Sequence, residues 1–290
     1  MPDRVEIVEV GPRDGLQTEP RMIATADKIA LVDALSAVGF RRIEVTSFVS
    51  PKWVPQMADG AQVLAGIRRV PGLRYAALVP NMVGLAAARA AGVDEIAVFA
   101  SASEGFSRAN INMGIAESLE RFGPVVAAAR DMGLPVRGYV SCVVHCPFDG
   151  AVSPLQVALV ADALRALGCY EISLGDTIGA GRPESIAPML AAVIDRVPAA
   201  CLAGHFHDTG GHALDNVETA LALGLRVFDA AVGGLGGCPY APGAPGNLAT
   251  EVVARRLAAL GYDTGLDLDA LDRAAALARG LREGMLDGQA

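Results

Sequence analysis

The chain has 290 residues, of which 52% are hydrophobic and 19% charged, and its formal net charge is −8. No run of about 18 uncharged apolar residues occurs, so a transmembrane helix and a membrane partner are not expected. The acidic balance disfavours a nucleic-acid partner, which requires a basic face. The first residues lack a basic stretch followed by an apolar one, so no secretory signal is predicted.

The five cysteines form an odd set without the tight spacing of a disulfide framework, which favours a reducing, cytoplasmic location. Cys142 and Cys146, with His145 between them, suggest a zinc site. A structural zinc site needs four ligands, and no second pair stands at a suitable spacing. These residues are therefore expected to pack near the end of a strand.

Short apolar segments that recur about every thirty residues predict eight β-strands. Amphipathic segments rich in Ala and Leu lie between them and predict helices, examples being 26–38, 154–167, 184–197 and 213–223. The predicted strands are 5–10, 42–48, 75–79, 95–100, 136–144, 171–174, 202–207 and 227–232.

Eight strands that alternate with helices are the pattern of an α/β protein with a closed (β/α)8 TIM barrel, predicted here over about residues 4–260. One more helix, at about 267–286, is expected to pack on the barrel or on a partner subunit. An open doubly wound sheet is the competing fold, but no glycine fingerprint follows the first strand. The whole chain, 1–290, is interpreted as a single catalytic domain.

In TIM barrels the catalytic residues lie at the C-terminal ends of the strands. The unusual polar residues of this chain follow that rule, because almost all of them end a predicted strand. They are Arg13, Asp14 and Gln17 on the first, Glu44 and Ser47 on the second, Ser173, Asp176 and Thr177 on the sixth, His205 and His207 on the seventh, and Cys238 after the eighth.

His205 and His207 predict a divalent metal site. Side chains two residues apart on a strand point to the same face, so the two imidazoles either share a ligand or repel each other when protonated. Asp14 could complete the site, because the first strand of a closed barrel is two positions from the seventh. With no thiolate in the set, Mg²⁺ or Mn²⁺ is favoured over structural zinc. The alternatives are a histidine hydrogen-bonded in the core and an Asp14 that caps a helix or a surface turn.

Arg13 and Cys238 are candidates for the chemistry beside this metal. Arg13 could pair with Asp14 or direct its guanidinium at an oxyanion that forms during reaction. Cys238 lies in the glycine-rich segment 232–247, interpreted as too rich in glycine for a strand and as a mobile lid, which makes it a candidate acid or base. Disulfide pairing is its alternative. Asn247 could add an oxygen ligand or cap the following helix.

Five motifs together resemble the hydroxymethylglutaryl-CoA lyase family, within a superfamily of metal-dependent TIM-barrel lyases and synthases. They occur in order, at the ends of strands, and the similarity runs from about residue 5 to residue 251. The motifs are GPRDGLQ at 11–17, EVTSFVSPKWVPQMAD at 44–59, SLGDTIG at 173–179, HFHDT at 205–209 and GGCPYA at 236–241.

The resemblance implies a retro-Claisen cleavage of 3-hydroxy-3-methylglutaryl-CoA to acetyl-CoA and acetoacetate, a reaction of leucine degradation and ketone-body metabolism. It implies a divalent cation, CoA as part of the substrate, and a homodimer. The matching metal ligands are Asp14, His205, His207 and Asn247. Arg13 matches the arginine at the enolate oxygen, Cys238 a cysteine in proton transfer, and Glu44, Asp176 and Glu251 supporting acids.

The sequence does not assign the proton-transfer and substrate-binding roles to single residues. Whether Cys238, His205 or Asp176 begins or ends the proton path stays open. Arg13 is expected to contact the substrate together with Gln17, Ser47, Ser173 and Thr177.

Several alternatives remain. A lyase of the same mechanism could act on another 3-hydroxy-3-substituted dicarboxyl-CoA, because Pro20, Gly210 and His212 depart from the pattern of many relatives. A Claisen-condensing synthase typically has Glu where this chain has Leu16, and most need a regulatory extension. Amidohydrolase barrels place their histidine pair on the first strand, and facial-triad oxygenases use a different, β-rich scaffold. A binding module without activity gives no reason for these residues to gather.

Overall fold

A closed barrel of eight parallel strands forms the centre of the protein. The computed structural model describes residues 3–238 and 241–283, apart from the side chains of residues 238 and 241–244. The strands pair in chain order, and the first closes against the eighth. This confirms the TIM barrel and the eight predicted strands. The strands are β1 (Glu6–Glu9), β2 (Arg42–Ser47), β3 (Arg74–Leu78), β4 (Glu95–Ser101), β5 (Val136–Ser141), β6 (Glu171–Asp176), β7 (Leu202–Phe206) and β8 (Val227–Ala230).

Helices follow every strand and surround the barrel. They are α1 (Thr25–Ser36), α2 (Gly60–Gly66), α3 (Met82–Ala90), α4 (Glu104–Ile111), α5 (Ile115–Asp131), α6 (Pro154–Leu167), α7 (Pro183–Ile194), α8 (Ala213–Ala222), α9 (Thr250–Ala259) and α10 (Leu268–Glu283). Two of them, α4 and α5, follow β4, and the sequence did not predict the first. It begins where the Ser103 side chain accepts a hydrogen bond from the Phe106 amide at 3.1 Å, and it ends at Asn112 in the left-handed conformation.

Helix α6 has the predicted bounds, and its sequence explains them. Pro154 occupies the first turn, where its missing N–H costs no hydrogen bond. Val157, Ala161 and Leu164 recur at helical spacing and are buried. Gly168 ends the helix at φ 114°, a conformation that a residue with a Cβ rarely adopts.

Helix α10 packs on the barrel, which is one of its two predicted locations. It contacts α1, α9 and the turn that follows β8. In that turn Gly233 has φ 65°, and a Cβ there would lie 3.2 Å from both the Ala275 carbonyl oxygen and the Ala278 side chain. Glycine therefore allows the turn and the helix to approach closely. The predicted end of this helix, from residue 284, lies outside the described residues.

The interior of the barrel is unusual. At the N-terminal ends of the strands it holds charged side chains, where TIM barrels commonly hold aliphatic ones. Buried Arg42 donates to Glu6 and to Glu171, each at 2.7 Å. Buried Arg137 donates to the same Glu171 at 2.6 Å and, with its terminal nitrogens, to Asp229. The charged column thus continues upward to the C-terminal end of the barrel.

The glycine-rich segment after β8 forms a short antiparallel hairpin, Gly237–Cys238 with Ala241–Pro245. The interpretation that it is too rich in glycine for a strand was therefore wrong. Its end docks on the end of β7, where the Asp208 amide donates to the Gly246 carbonyl at 2.7 Å. Among the described residues, none of the helices is long and apolar enough to cross a membrane.

Candidate active site

A cavity of about 920 Å³ opens at the C-terminal end of the barrel. Its lining has two chemically different sides. One side is charged or polar and comes from the first, sixth and seventh strands and their loops, with Arg13, Asp14, Gln17, Thr177, His205 and His207. The other is largely apolar and comes from β3, β4, α4 and α5, with Leu78, Phe99, Phe106, Ile111 and Phe122.

Asp14, His205 and His207 meet on the polar side. One ligand atom from each lies within 4.8 Å of the others. The two imidazole Nε2 atoms are 3.3 Å apart, and His205 Nε2 is 3.8 Å from Asp14 Oδ2. The two histidines share a face of β7 and its immediate continuation, as their spacing predicts. The barrel thus brings together the three residues that the sequence grouped.

The turn after β1 places Asp14. The amides of Asp14 and Gly15 both donate to the Val10 carbonyl, at 2.8 and 3.3 Å, which makes one wide helical turn of the π type over Gly11–Gly15. Such turns are frequent at functional sites. A Cβ on Gly15 would come within 2.6 Å of the Leu235 Cβ, so glycine allows the turn to pack against the loop after β8.

The Asp14 carboxylate accepts three side-chain hydrogen bonds, so it caps neither a helix nor a surface turn. Arg13 donates at 2.5 Å and Gln17 at 3.1 Å to one oxygen, and Asn247 donates at 2.8 Å to the other. Burial alone would raise the pKa of Asp14, but the Arg13 guanidinium and then the His205 imidazole lower it to about 2. Asp14 is therefore ionised at neutral pH.

Asp229, on β8, fixes the orientation of His205, and the sequence reading missed it. Its Oδ2 lies 3.1 Å from His205 Nδ1 and accepts a hydrogen bond from the Ser173 hydroxyl at 2.7 Å. Arg137 donates to Asp229 at 2.7 Å, and its charge holds the pKa of this carboxyl well below its usual range, against the effect of burial. The ionised Asp229 accepts the Nδ1 proton of His205, and this hydrogen bond raises the pKa of His205 against the effect of burial. In the neutral imidazole, Nε2 then presents its lone pair to Asp14 and His207.

Arg13 is held by charged and aromatic neighbours. Its Nε donates to Glu44 Oε2 at 2.7 Å, and its Nη2 lies 2.6 Å from the same oxygen. The Tyr139 hydroxyl donates to this oxygen at 3.1 Å, and the Tyr139 ring lies 5.5 Å from the guanidinium. Arg13 pairs with Asp14 and also lines the cavity. Its position is therefore compatible both with an ion pair to Asp14 and with a contact to an oxyanion of the substrate. Glu44 lies behind Arg13 and does not line the cavity.

Three of the predicted site residues lie behind the cavity wall. Asp176 accepts hydrogen bonds from the amides of Gly181 at 2.7 Å and Ala180 at 3.2 Å, so its carboxylate fixes the loop after β6. Ser173 is engaged with Asp229. The Ser47 hydroxyl is buried without a hydrogen-bond partner among the described residues. In contrast, Gln17 and Thr177 line the cavity.

The remaining predicted residues lie on the loop after β8 and on α9. Asn247 donates to Asp14, and Ala249 occupies the N-cap position of α9, so Asn247 does not cap that helix. Glu251 accepts from the Gly233 amide at 3.0 Å and from Arg279 at 3.0 Å, so it joins the turn after β8 to α10. The backbone of Cys238 lies in the hairpin, and its side chain lies outside the described residues.

Glu9 is a second residue that the sequence reading missed. Its carboxylate accepts from the amides of Gly11 at 2.7 Å and Val232 at 2.9 Å, and from the Thr250 hydroxyl at 2.7 Å. Burial raises the pKa of Glu9 to about 7. This residue joins three segments that carry the site. The signal in the sequence was a charged residue inside an apolar strand, which also marks Asp229.

The positions that depart from the family pattern lie away from the cavity lining. Pro20 is exposed on the loop after β1. Gly210 packs against the Gly179 carbonyl, which would lie 2.6 Å from an added Cβ, and His212 lies 3.6 Å from Asp215. Substrate specificity is therefore better sought among the residues that line the cavity.

Cys142 and Cys146 are buried against Phe106 beyond β5, as expected, and His145 is exposed.

Comparisons with known proteins agree with one another. The HMGL-like family model matches residues 4–278. A 3-hydroxy-3-isohexenylglutaryl-CoA/hydroxy-methylglutaryl-CoA lyase of Pseudomonas aeruginosa is 58% identical over 93% of this chain and 90% of its own. A mitochondrial hydroxymethylglutaryl-CoA lyase of Bos taurus is 56% identical over 95% of this chain and 85% of its own. The crystal structure of the HMG-CoA lyase from Brucella melitensis is 62% identical, with a TM-score of 0.96 over 97% of this chain and 99% of that one.

Proposed function

The chain belongs to the HMGL-like family, and from this premise we propose that it is a carbon–carbon lyase that cleaves 3-hydroxy-3-methylglutaryl-CoA to acetyl-CoA and acetoacetate. The observation that carries the proposal is the grouping of Asp14, His205 and His207 beside Arg13 at the C-terminal end of the barrel. The names of the relatives support cleavage over the condensing reaction of a synthase. The whole chain acts in this proposal as one catalytic domain.

The triad suits a divalent cation. In neutral His205 the proton lies on Nδ1 beside Asp229, so Nε2 is free to bind a cation. This atom and His207 Nε2 face each other at 3.3 Å next to an ionised carboxylate. Two neutral imidazoles and a carboxylate with open positions match a cation of intermediate hardness, and we propose Mg²⁺ or Mn²⁺. Asn247 would be a fourth ligand through its amide oxygen, which requires the amide to turn from its present donation to Asp14.

When bound, the cation would polarise the tertiary hydroxyl of the substrate and lower the pKa of that hydroxyl. Cleavage of the C2–C3 bond then leaves negative charge on the thioester oxygen of the departing acetyl-CoA. Arg13 is placed to stabilise this charge, because Glu44 and Asp14 hold its guanidinium at the cavity before the charge forms. Preorganised donors of this kind need no rearrangement during the reaction.

Two protons must move in this reaction: one leaves the hydroxyl, and one reaches the carbanion of acetyl-CoA. Cys238 is our candidate for the second transfer, since the neighbouring Gly237 lines the cavity. The hydrogen bonds of Asp176 to Gly181 and Ala180 favour a positioning role for this carboxylate. We likewise assign Ser173 to the support of Asp229, and Gln17 and Thr177 to contact with substrate.

Oligomeric state and cellular location stay predictions. The homodimer is expected from the family resemblance. The relatives carry both mitochondrial and cytoplasmic names, so the cytoplasmic location rests on the cysteine content alone.

The test of the proposed function is to supply 3-hydroxy-3-methylglutaryl-CoA to the purified, metal-loaded protein and to quantify both products. We expect acetyl-CoA and acetoacetate to form in equal amounts. No cleavage by metal-loaded protein shown to be folded would refute the proposal.

A further inference from the structure

The inner surface of the barrel mouth changes character between its two sides. Buried polar side chains from five of the eight strands belong to one hydrogen-bonded network, which includes Tyr139; they are Glu44, Arg137, Ser173, His205 and Asp229. Residues Leu78 on β3 and Ala97 and Phe99 on β4 interrupt this pattern, and they cluster with Tyr139. Toward their C-terminal ends, two neighbouring strands therefore present an apolar surface to the mouth of the barrel.

Three side chains of this region face the cavity and form what we call the apolar wall, namely Leu78, Phe99 and Phe122. The rings of Phe99 and Phe122 lie 5.7 Å apart, so α5 supports the strand residue from outside the barrel. Phe99 is only half-buried, although it lies within a strand whose other residues are buried. A large apolar side chain at the mouth of a barrel thus keeps part of its surface free for a ligand.

The wall lies across the cavity from the proposed metal ligands. In a closed barrel of eight strands in chain order, β3 and β4 are opposite β7 and β8. A substrate whose C3 hydroxyl is bound at Asp14, His205 and His207 can therefore direct another substituent of C3 toward the wall. A methyl group would leave most of this surface in contact with water, in a cavity of about 920 Å³.

We propose that the apolar wall binds a long apolar substituent at C3, and that the chain also cleaves 3-hydroxy-3-alkenylglutaryl-CoA thioesters. The inference rests on the proposed function and extends its substrate class. The relative of 58% identity carries a name with both an isohexenyl and a methyl substrate. The bond that breaks, C2–C3, and the acetyl-CoA product are the same for both substrates. The longer substituent remains on the second product.

The pantetheine arm of CoA is the competing occupant of the wall. Its two amides need hydrogen-bond partners when they leave water, and the side chains of Leu78, Phe99 and Phe122 offer none. Polar groups suited to those amides line the cavity at Ser50, in the loop after β2, and at Asn110, near the end of α4. This division favours pantetheine at the rim and the C3 substituent at the wall.

The test measures kcat/KM for 3-hydroxy-3-methylglutaryl-CoA and for 3-hydroxy-3-isohexenylglutaryl-CoA. It compares the unmodified protein with variants that carry larger side chains in the apolar wall. We expect the unmodified protein to cleave both. Phe99→Trp and Leu78→Phe should each lower the ratio of isohexenyl to methyl kcat/KM by roughly tenfold or more, since a pocket that loses space rejects the larger group. Val54→Phe, which adds similar bulk elsewhere on the cavity lining, is the matched control and should leave the ratio unchanged.

Each outcome has one meaning for the inference. Cleavage of the methyl substrate alone by the unmodified protein would overturn it and leave the proposed function intact. A rise in KM for both substrates by the same factor in Phe99→Trp and Leu78→Phe would assign the wall to pantetheine and also overturn it. No cleavage of either substrate would reject the proposed function and this extension together. Two narrowing variants are used so that the failure of one to fold does not remove the comparison.

Discussion

At the scale of single residues, the site depends on side chains that touch no reacting atom. Asp229 holds His205 by its Nδ1, and Glu44 holds Arg13 by its Nε. Both carboxylates are buried, and both pair with an arginine. Removing such a carboxylate changes the orientation or the protonation of the residue that it supports, and leaves a buried positive charge without its partner.

Asp229→Asn should weaken metal binding by roughly 10- to 100-fold. Asparagine can present a donor to His205 Nδ1, and this would stabilise the tautomer that carries its proton on Nε2. Titration of Mn²⁺ into metal-free protein, followed by calorimetry, measures the effect. Asp215→Asn, on the exposed face of α8, is the control. Equal Mn²⁺ affinity in the folded Asp229→Asn variant would show that Asp229 does not position His205.

Arg13→Gln should lower kcat by roughly 10²- to 10³-fold, because it removes a charge aimed at the developing oxyanion. The same change leaves Glu44 buried without its main partner, which is expected to destabilise the fold by about 3–5 kcal/mol.

The double variant Arg13→Gln/Glu44→Gln separates these two effects. It should regain much of the lost stability in urea unfolding while kcat stays low. If kcat recovers along with stability, then Arg13 is structural and does not take part in the chemistry.

At the scale of elements, three segments are joined beneath the site: the turn after β1, the end of β8 and the start of α9. Glu9 accepts hydrogen bonds from Gly11, Val232 and Thr250, one residue in each segment. The neighbouring Glu251 adds a contact from α9 to Gly233 and so to α10. The geometry of Asp14 therefore depends on packing between segments that are distant in sequence.

The raised pKa of Glu9 predicts a pH dependence of stability. The pKa is about 7 in the folded protein against an ordinary value of 4.5, so between these values the folded state holds a proton that the unfolded state has lost. This contribution to stability is fully present below the unfolded pKa and is lost as the pH rises through 7. It amounts to at most about 3 kcal/mol.

Urea unfolding of the unmodified protein and of Glu9→Gln, at several values between about pH 5 and pH 8, measures this contribution. The free energy of unfolding of the variant should fall less with pH, so that its stability relative to the unmodified protein improves toward pH 8. Glu117→Gln, at an exposed position of α5, serves as the control. Parallel pH curves for Glu9→Gln and the unmodified protein would mean that Glu9 titrates normally.

At the scale of the whole molecule, the sequence predicts the barrel well and the support of the site poorly. Strand and helix periodicities are local, so all eight strands and the bounds of α6 follow from them. The contact between Arg137 and Asp229 joins residues 92 positions apart, and no local pattern encodes it. Asp14 and the two histidines were predictable because barrel topology brings together the ends of known strands. Asp176 also ends a strand and Ser173 lies within the same strand, but neighbours not visible in the sequence engage both side chains.

We expect cleavage to depend on one divalent cation held by Asp14, His205 and His207. The most direct measurement is acetyl-CoA formation from 3-hydroxy-3-methylglutaryl-CoA by chelated protein during a Mn²⁺ titration, with calorimetry on the same samples. We predict no turnover in the chelated protein, and recovery that saturates at one bound ion per chain. Full turnover by protein shown to be free of metal would mean that cleavage needs no cation at Asp14, His205 and His207.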